Sequence, residues 1–319
     1  MRRTGVLCIL AVTVTVIAAA AAAETAVTAP ASARLDVIQT MLDQGKYDEA
    51  AEAARGLLRG GRDDESRTGA LRIVAVALRK KGDWKAAAKA YEELKARFEK
   101  ASAEYVIAEA TAEVLQASPK GVYAPLAKNA TAASGGGSTA TLADDGALAK
   151  ALVAVGDVRA AKVNGRLGEM KKSRSPREIV KVFDEMAQGF QQARILNPDL
   201  SLDLDRNAAQ AAADALDRVE KDVLPALRQR MDEITRTGLD RGTLDNTQKD
   251  QVSEALEACQ QASDAERAFR DVLKPIIKGW PEGVALNLAS IKRGNAYGDV
   301  VRQCRLMLAL AARGHRGRR

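Results

Sequence analysis

Apolar residues recur every three or four positions along most of this chain, with polar residues between them, and that spacing predicts helices. Residues 34–58 read as one helix, a turn at Gly45 and a second helix, and residues 70–98 repeat the plan around Gly82. A further helix is expected at about Ala103–Ala117, where Val106, Ala110 and Val114 are spaced by four, and Ser118-Pro119-Lys120-Gly121 breaks it. Residues 142–172 carry the next stripe, with Leu148, Leu152, Val155, Val163, Leu167 and Met170. Ser175-Pro176-Arg177-Glu178 has the form of a capping box with proline at the first helical position. The helix it opens carries Ile179, Val182, Phe183, Met186, Phe190 and Ala193 and should stop at Asn197-Pro198. Two long helices follow, from about Asp205 to Thr237 and from about Asp245 to Lys278, with a turn at Gly238 and Gly242. They predict a tall antiparallel hairpin packed on the shorter helices, kinked at Pro225. Gly279-Trp280-Pro281-Glu282-Gly283 turns the chain again, with Trp280 expected to cover a helix end rather than to anchor a partner. Period-two runs of β-branched and aromatic residues are scarce after the N-terminus, so the fold class is all-α.

Where the periodicity lapses, the composition divides the chain. Arg2 and Arg3, an apolar run from Val6 to Ile17, and Ala21-Ala22-Ala23 have the form of a signal peptide cleaved before Glu24, with an uncleaved membrane anchor as the alternative. Thr131-Ala-Ala-Ser-Gly-Gly-Gly-Ser-Thr-Ala-Thr141 has no charge and no large apolar side chain, so it reads as a flexible linker. The expected organisation is a signal peptide at 1–23, a helical domain at 24–130, the linker at 131–141, a helical bundle at 142–312 and a basic tail at 313–319. No stretch after the signal segment is long and apolar enough to span a bilayer. Aromatic residues make up only 3% of the chain, so both cores must be built chiefly from Ala, Leu and Val, whose small bulk lets helices approach closely.

Charge and chemistry narrow the function classes. The formal net charge is +7, but it falls to +5 without residues 1–23 and to +1 without the four arginines of the tail. A near-neutral body lacks the basic face of a nucleic-acid-binding domain. His315 is the only histidine and lies in the tail, which removes Ser-His and Cys-His nucleophile systems and ordinary zinc sites. Cys259 and Cys304 sit on apolar helical stripes as buried thiols, with a disulfide between them as the alternative in an oxidising compartment. Asp199, Asp203, Asp205 and Asn207 cluster without the glycine and distal glutamate of a calcium loop, and helix capping accounts for them better. No catalytic, metal or cofactor site is expected.

The two turns at Gly45 and Gly82 carry the most specific pattern. Gly45-Lys-Tyr47-Asp-Glu-Ala50 and Gly82-Asp-Trp84-Lys-Ala-Ala87 align 37 residues apart. Glycine ends the first helix where a left-handed residue is needed, the aromatic fills the wedge between paired helices, and the alanine lets them close. This resembles the tetratricopeptide repeat family, over about residues 34–117, with Ala75, Leu78, Gly82, Trp84, Ala87 and Tyr91 as the better match. Neither repeat ends in the family's usual proline, and Ala54 stands where a large residue is usual. Ile291–Arg302 echoes the repeat turn around Gly294 and Tyr297 with one extra residue.

The resemblance implies that the first helix of each repeat lines a concave groove for a peptide or partner helix. Helical spacing puts Arg72, Val76, Arg79 and Lys80 on that face in the second repeat, and Leu35, Gln39, Leu42 and Asp43 in the first. The expected partner-binding residues are therefore Gln39, Asp43, Arg72, Arg79 and Lys80, with a protein or peptide partner, acidic in the segment that meets the arginines. Arginines and a valine stand where some family members hold a terminal carboxylate with Lys and Asn. The expected function is an exported interaction or scaffold protein of a bacterial cell envelope. The alternatives are a structural bundle that self-associates through its long C-terminal hairpin and an enzyme acting on envelope polysaccharide.

Overall fold

The computed structural model describes residues 31–60, 63–118, 120, 141–241 and 244–314. The fold is all-α, with no strand among the described residues. The chain divides into two compact units, Met1–Val155 and Gly156–Arg319. The signal segment and most of residues 131–141 lie outside the described residues, as does the tail beyond Gly314.

The first unit starts as consecutive helical hairpins. Helix α1 (Ala31–Asp43) packs on α2 (Tyr47–Gly60), α2 on α3 (Asp64–Lys81), α3 on α4 (Trp84–Lys95), and α4 on α5 (Ala103–Ala117). Helix α1 also touches α3 directly, with the Leu35 methyls lying over Gly69, where a Cβ would be 2.9 Å from Leu35 Cδ1. Gly45 and Gly82 have φ of 77° and 86°, a region that L side chains rarely adopt. Gly82 caps α3 by donating its N–H to the carbonyls of Arg79 and Leu78, and the Asp83 carboxylate then accepts from Ala86 N to start α4. Ala50, Ala54, Ala70, Ala75, Ala87 and Ala110 are fully buried, so the core is alanine-rich as the composition requires.

The second unit holds the end of α6 (Asp145–Asn164), then α7 (Leu167–Lys172), α8 (Pro176–Leu196), α9 (Asp203–Arg241), α10 (Asn246–Ile276) and α11 (Pro281–Gly314). Helices α8, α9 and the C-terminal half of α10 enclose Phe183, Met186, Phe190, Leu216, Phe269 and Leu273, with the rings of Phe183 and Phe269 centred 5.3 Å apart. A second core lies further along α9–α11 and contains Met231, Val252, Cys259, Tyr297, Val300 and Cys304. Trp280 is buried in the first of these cores at the start of α11, with the Arg206 guanidinium 5.8 Å from its ring centre.

Four local expectations are corrected. The long hairpin with the more extensive contact is α10 on α11, turning at Gly279 with φ 79°, whereas α9 and α10 touch far less. Helix α9 continues through Gly238 to Arg241. Ile291–Arg302 contains no turn, because α11 runs unbroken through Gly294. A Cβ at Gly294 would lie 3.4 Å from Arg270 Nη1 and 3.6 Å from Glu266 Cβ, which are ordinary packing distances. At the start of α8, Ser175 Oγ accepts from Glu178 N as expected, but the Glu178 carboxylate accepts from Ser173 Oγ at 2.7 Å rather than closing the capping box.

Candidate interaction face

The face of α3 that helical spacing singles out is used in two ways. Arg72 is exposed and Val76 half-buried, whereas Arg79 is 3% exposed. Arg79 donates from Nη1 to Leu142 O at 2.8 Å and Ala143 O at 3.2 Å, and from Nη2 to the Asp145 carboxylate. Lys80 Nζ donates to Asp145 Oδ2 at 2.7 Å. The predicted pair Arg79 and Lys80 is therefore brought together, on a segment of the same chain. Leu142 is buried beneath that clasp, and Asp144 accepts from Ala147 N to open α6. Residues 142–155 thus belong to the first unit, although the sequence assigns them to the C-terminal bundle.

The electrostatics follow from this arrangement. The Lys80 ammonium, joined by the Arg79 guanidinium, holds the Asp145 carboxyl below the usual carboxylate range against the opposing effect of burial. Burial pushes the Tyr91 phenol up, and the positive charge of Arg79 beside it offsets part of that. Arg79 Nε is buried without an acceptor.

On α1, Gln39 Nε2 donates to Asp43 Oδ1 at 2.9 Å, and both side chains are exposed. This i,i+4 pair holds the two polar groups along one edge of the helix. Arg72 stands apart from the Arg79–Lys80 clasp. Sequence reasoning missed Leu142 and Asp145. Their one legible signal was an acidic dipeptide, Asp144-Asp145, following an uncharged stretch at the start of a helix.

No group of three or more His, Cys, Asp or Glu side chains is placed to hold a metal ion among the described residues. No helix among them is long and apolar enough to cross a membrane. In the second unit Asp205 does not cap α9, since it pairs with Arg194 in a cleft of about 800 Å³ also lined by Asp184, Gln188, Asp271, Val272 and Ile276. Burial raises the Asp205 carboxyl despite that arginine.

Cys259 and Cys304 are free thiols, both buried, and Cys304 Sγ lies 3.7 Å from Met231 Sδ. Burial, followed by the neighbouring Cys304, pushes the Cys259 thiol from 9.0 to about 11. The thiol is therefore almost wholly un-ionised at neutral pH and inert as a nucleophile. A disulfide-exchange reagent should label neither cysteine in the folded chain and both in denaturant; equal rates in the two states would place the thiols at the surface. Because the folded chain disfavours the thiolate, its contribution to stability is intact below 9.0 and is lost as pH rises toward about 11.

The chain matches no known family profile and no curated protein.

Proposed function

We infer that this is an exported helical-repeat interaction protein of a bacterial cell envelope, which binds a protein segment along the first-helix face of its N-terminal stack. The observation that carries the reading is the engagement of Leu142–Asp145 by Arg79 and Lys80. A guanidinium that donates to two main-chain carbonyls and a carboxylate, over a buried leucine, is recognition of a peptide in chemical terms. Arg72 on the same helix, and Gln39 and Asp43 on α1, are exposed, and the repeat resemblance assigns them to the same groove. A partner segment that is acidic opposite Arg72 and polar opposite the Gln39–Asp43 pair suits what remains open. The resemblance of residues 34–117 to tetratricopeptide repeats supports the same face, and the basic, apolar and small-residue order of residues 1–23 supports export.

The test is site-specific photocrosslinking in the native envelope. Probes placed at Gln39 and at Arg72 should trap the same protein, and a probe at the exposed Lys89 on α4 should not. Arg72→Glu should weaken binding of that protein at least tenfold without altering helicity, which is the cost of one charge-assisted hydrogen bond. Equal trapping from all three positions, or from none, would sink the reading.

A further inference from the structure

Three helices of the second unit each bring a sulfur into one core. Met231 stands on α9, Cys259 on α10 and Cys304 on α11, and all three are fully buried. Met307, half-buried one turn beyond Cys304, packs against the same core. Both cysteines and two of the five methionines among the described residues are gathered there, whereas the other core of this unit holds Met170 and Met186 without a thiol. Cys304 Sγ lies 3.7 Å from Met231 Sδ. A turn further along the same two helices, Thr235 Oγ1 lies 3.8 Å from Met307 Sδ.

The register of the α10–α11 hairpin brings the two thiols together. Bonds from Glu266 to Ser290 and Arg293 fix where one helix stands against the other, and Arg305 Nη2 reaches Gln260 Oε1 at 3.1 Å near the sulfurs. Seven residues from Glu266 along α10, and seven from Ser290 and Arg293 along α11, Cys259 is level with positions 297–300. Cys304 is one turn further on. Side chains lean toward the N-terminus of their own helix, which in an antiparallel pair carries these two toward each other. A metal–thiolate bond is ~2.3 Å long, so two sulfur ligands of one ion stand ~3.8–4.0 Å apart at angles between tetrahedral and trigonal. The Cys304–Met231 separation is already close to that.

We propose that this core is a copper(I) site, in which Cys259 and Cys304 bind as thiolates and Met231 as a thioether. The donor set decides the ion. Thiolates with a thioether make a soft set, which selects copper(I) over calcium, magnesium or manganese. Zinc takes four N, S or O donors. Among the described residues no His, Asp or Glu joins the two cysteines as a third ligand, and the one histidine of the chain is His315 in the tail. Binding is an exchange without change of oxidation state: two S–H bonds break, Cu–S bonds form to both sulfurs, and two protons leave. The bound group then carries one net negative charge, and the Arg228 guanidinium on α9 is the cation that already acts on Cys259. Met307, at the outer edge of the core, is the thioether that an incoming ion meets first. The site owes nothing to the N-terminal stack, so either reading can fail without the other.

The test is anaerobic titration of the full chain with copper(I) against a chromophoric copper(I) chelator. The chain carries Cys8→Ser, so that only the two core thiols remain. One copper(I) per chain should bind, and X-ray absorption should show a first shell of three sulfurs. Silver(I), with the same charge and similar softness, should displace it, and zinc(II) should not. Cys259→Ala and Cys304→Ala should each weaken binding by more than about a hundredfold, beyond the ~10–100-fold that an outer-shell group carries. Met231→Leu keeps the bulk of the side chain, so the metal-free chain should fold as before while copper(I) binds about tenfold more weakly. Met307→Leu should slow uptake and leave the equilibrium affinity unchanged. A chain that takes up no copper(I), that holds it as tightly without either cysteine, or whose bound ion has nitrogen or oxygen neighbours overturns the proposal. So does a Met231→Leu chain that keeps the parent's affinity and its three-sulfur shell.

Discussion

Replacing Arg79 with alanine should cost the first unit about 3 kcal/mol, and replacing Arg72 should cost less than ~0.5 kcal/mol. The two arginines lie seven residues apart on one face of α3 and differ only in what lies over them. Arg72 is in solvent, where a side chain rarely matters to stability. Arg79 is buried, and its loss strands the carbonyls of Leu142 and Ala143, which accept its Nη1 protons. The buried Leu142 carbonyl costs roughly 1–3 kcal/mol when orphaned, and the half-buried Ala143 carbonyl less. The Asp145 share is small, because that carboxylate is largely exposed and solvent screens the pair. Asp145→Asn alone should therefore fall below ~1 kcal/mol. Arg79→Lys should recover little, since an ammonium is a point charge that cannot fork across two carbonyls and a carboxylate. Thermal melting distinguishes these cases, with about 4–8 °C expected per kcal/mol in a unit of this size. A melting temperature for Arg79→Ala within a degree or two of the parent chain would show that Leu142–Asp145 is not held by this residue.

What the sequence discloses here is local, and what it conceals is pairing. Gly82, Asp83 and Trp84 are legible because a left-handed cap, a side-chain acceptor and a wedge residue each have a narrow chemical choice. The face of α3 was legible too, since periodicity assigns sides of a helix. Periodicity carries no sign of a segment that returns from 63 residues away to lie on that face, so Arg79 read as a solvent-facing donor. The long hairpin failed for a related reason. Helices α9 and α10 have similar length and a glycine between them, which invites pairing. Yet α11 meets α10 more extensively through a side that includes Ser290, Arg293 and Cys304, and those polar and sulfur-bearing positions blur the apolar stripe. Gly294 misled in the same region, because a glycine inside an unbroken helix spells the same as a glycine that turns the chain.

The same stretch of the α10–α11 hairpin gives the second large effect. Glu266 is 1% exposed. Its carboxylate accepts from Arg293 Nε at 2.7 Å, from Arg293 Nη2 at 3.1 Å and from Ser290 Oγ at 2.6 Å. Arg270 Nη1 closes the cluster by donating to Ser290 O at 3.3 Å. Burial, and then the Glu266 charge nearby, push the Tyr297 phenol up, so that hydroxyl stays protonated throughout the ordinary pH range. An ion pair so placed returns in mutual attraction roughly what both charges lost in leaving water. Removing one partner forfeits the attraction and keeps the desolvation, so Arg293→Met or Glu266→Leu alone should destabilise the second unit by about 3–5 kcal/mol. The double variant removes both charges and leaves apolar side chains of similar bulk, and it should lie within ~1 kcal/mol of the parent. Denaturant unfolding of the four chains therefore measures a coupling of several kcal/mol with the sign of mutual rescue. If the double variant instead costs the sum of the two singles, the pair does not act as a unit. The same series tests what the pair is for. Bonds from Glu266 to positions 290 and 293 are possible in one alignment of α10 against α11, whereas Leu and Met tolerate a slip by a turn. The double variant, though stable, should then show a broader set of inter-helix distances by spin-label measurement between α10 and α11. A distribution as narrow as the parent's would mean that packing alone holds the register and the charges only occupy it.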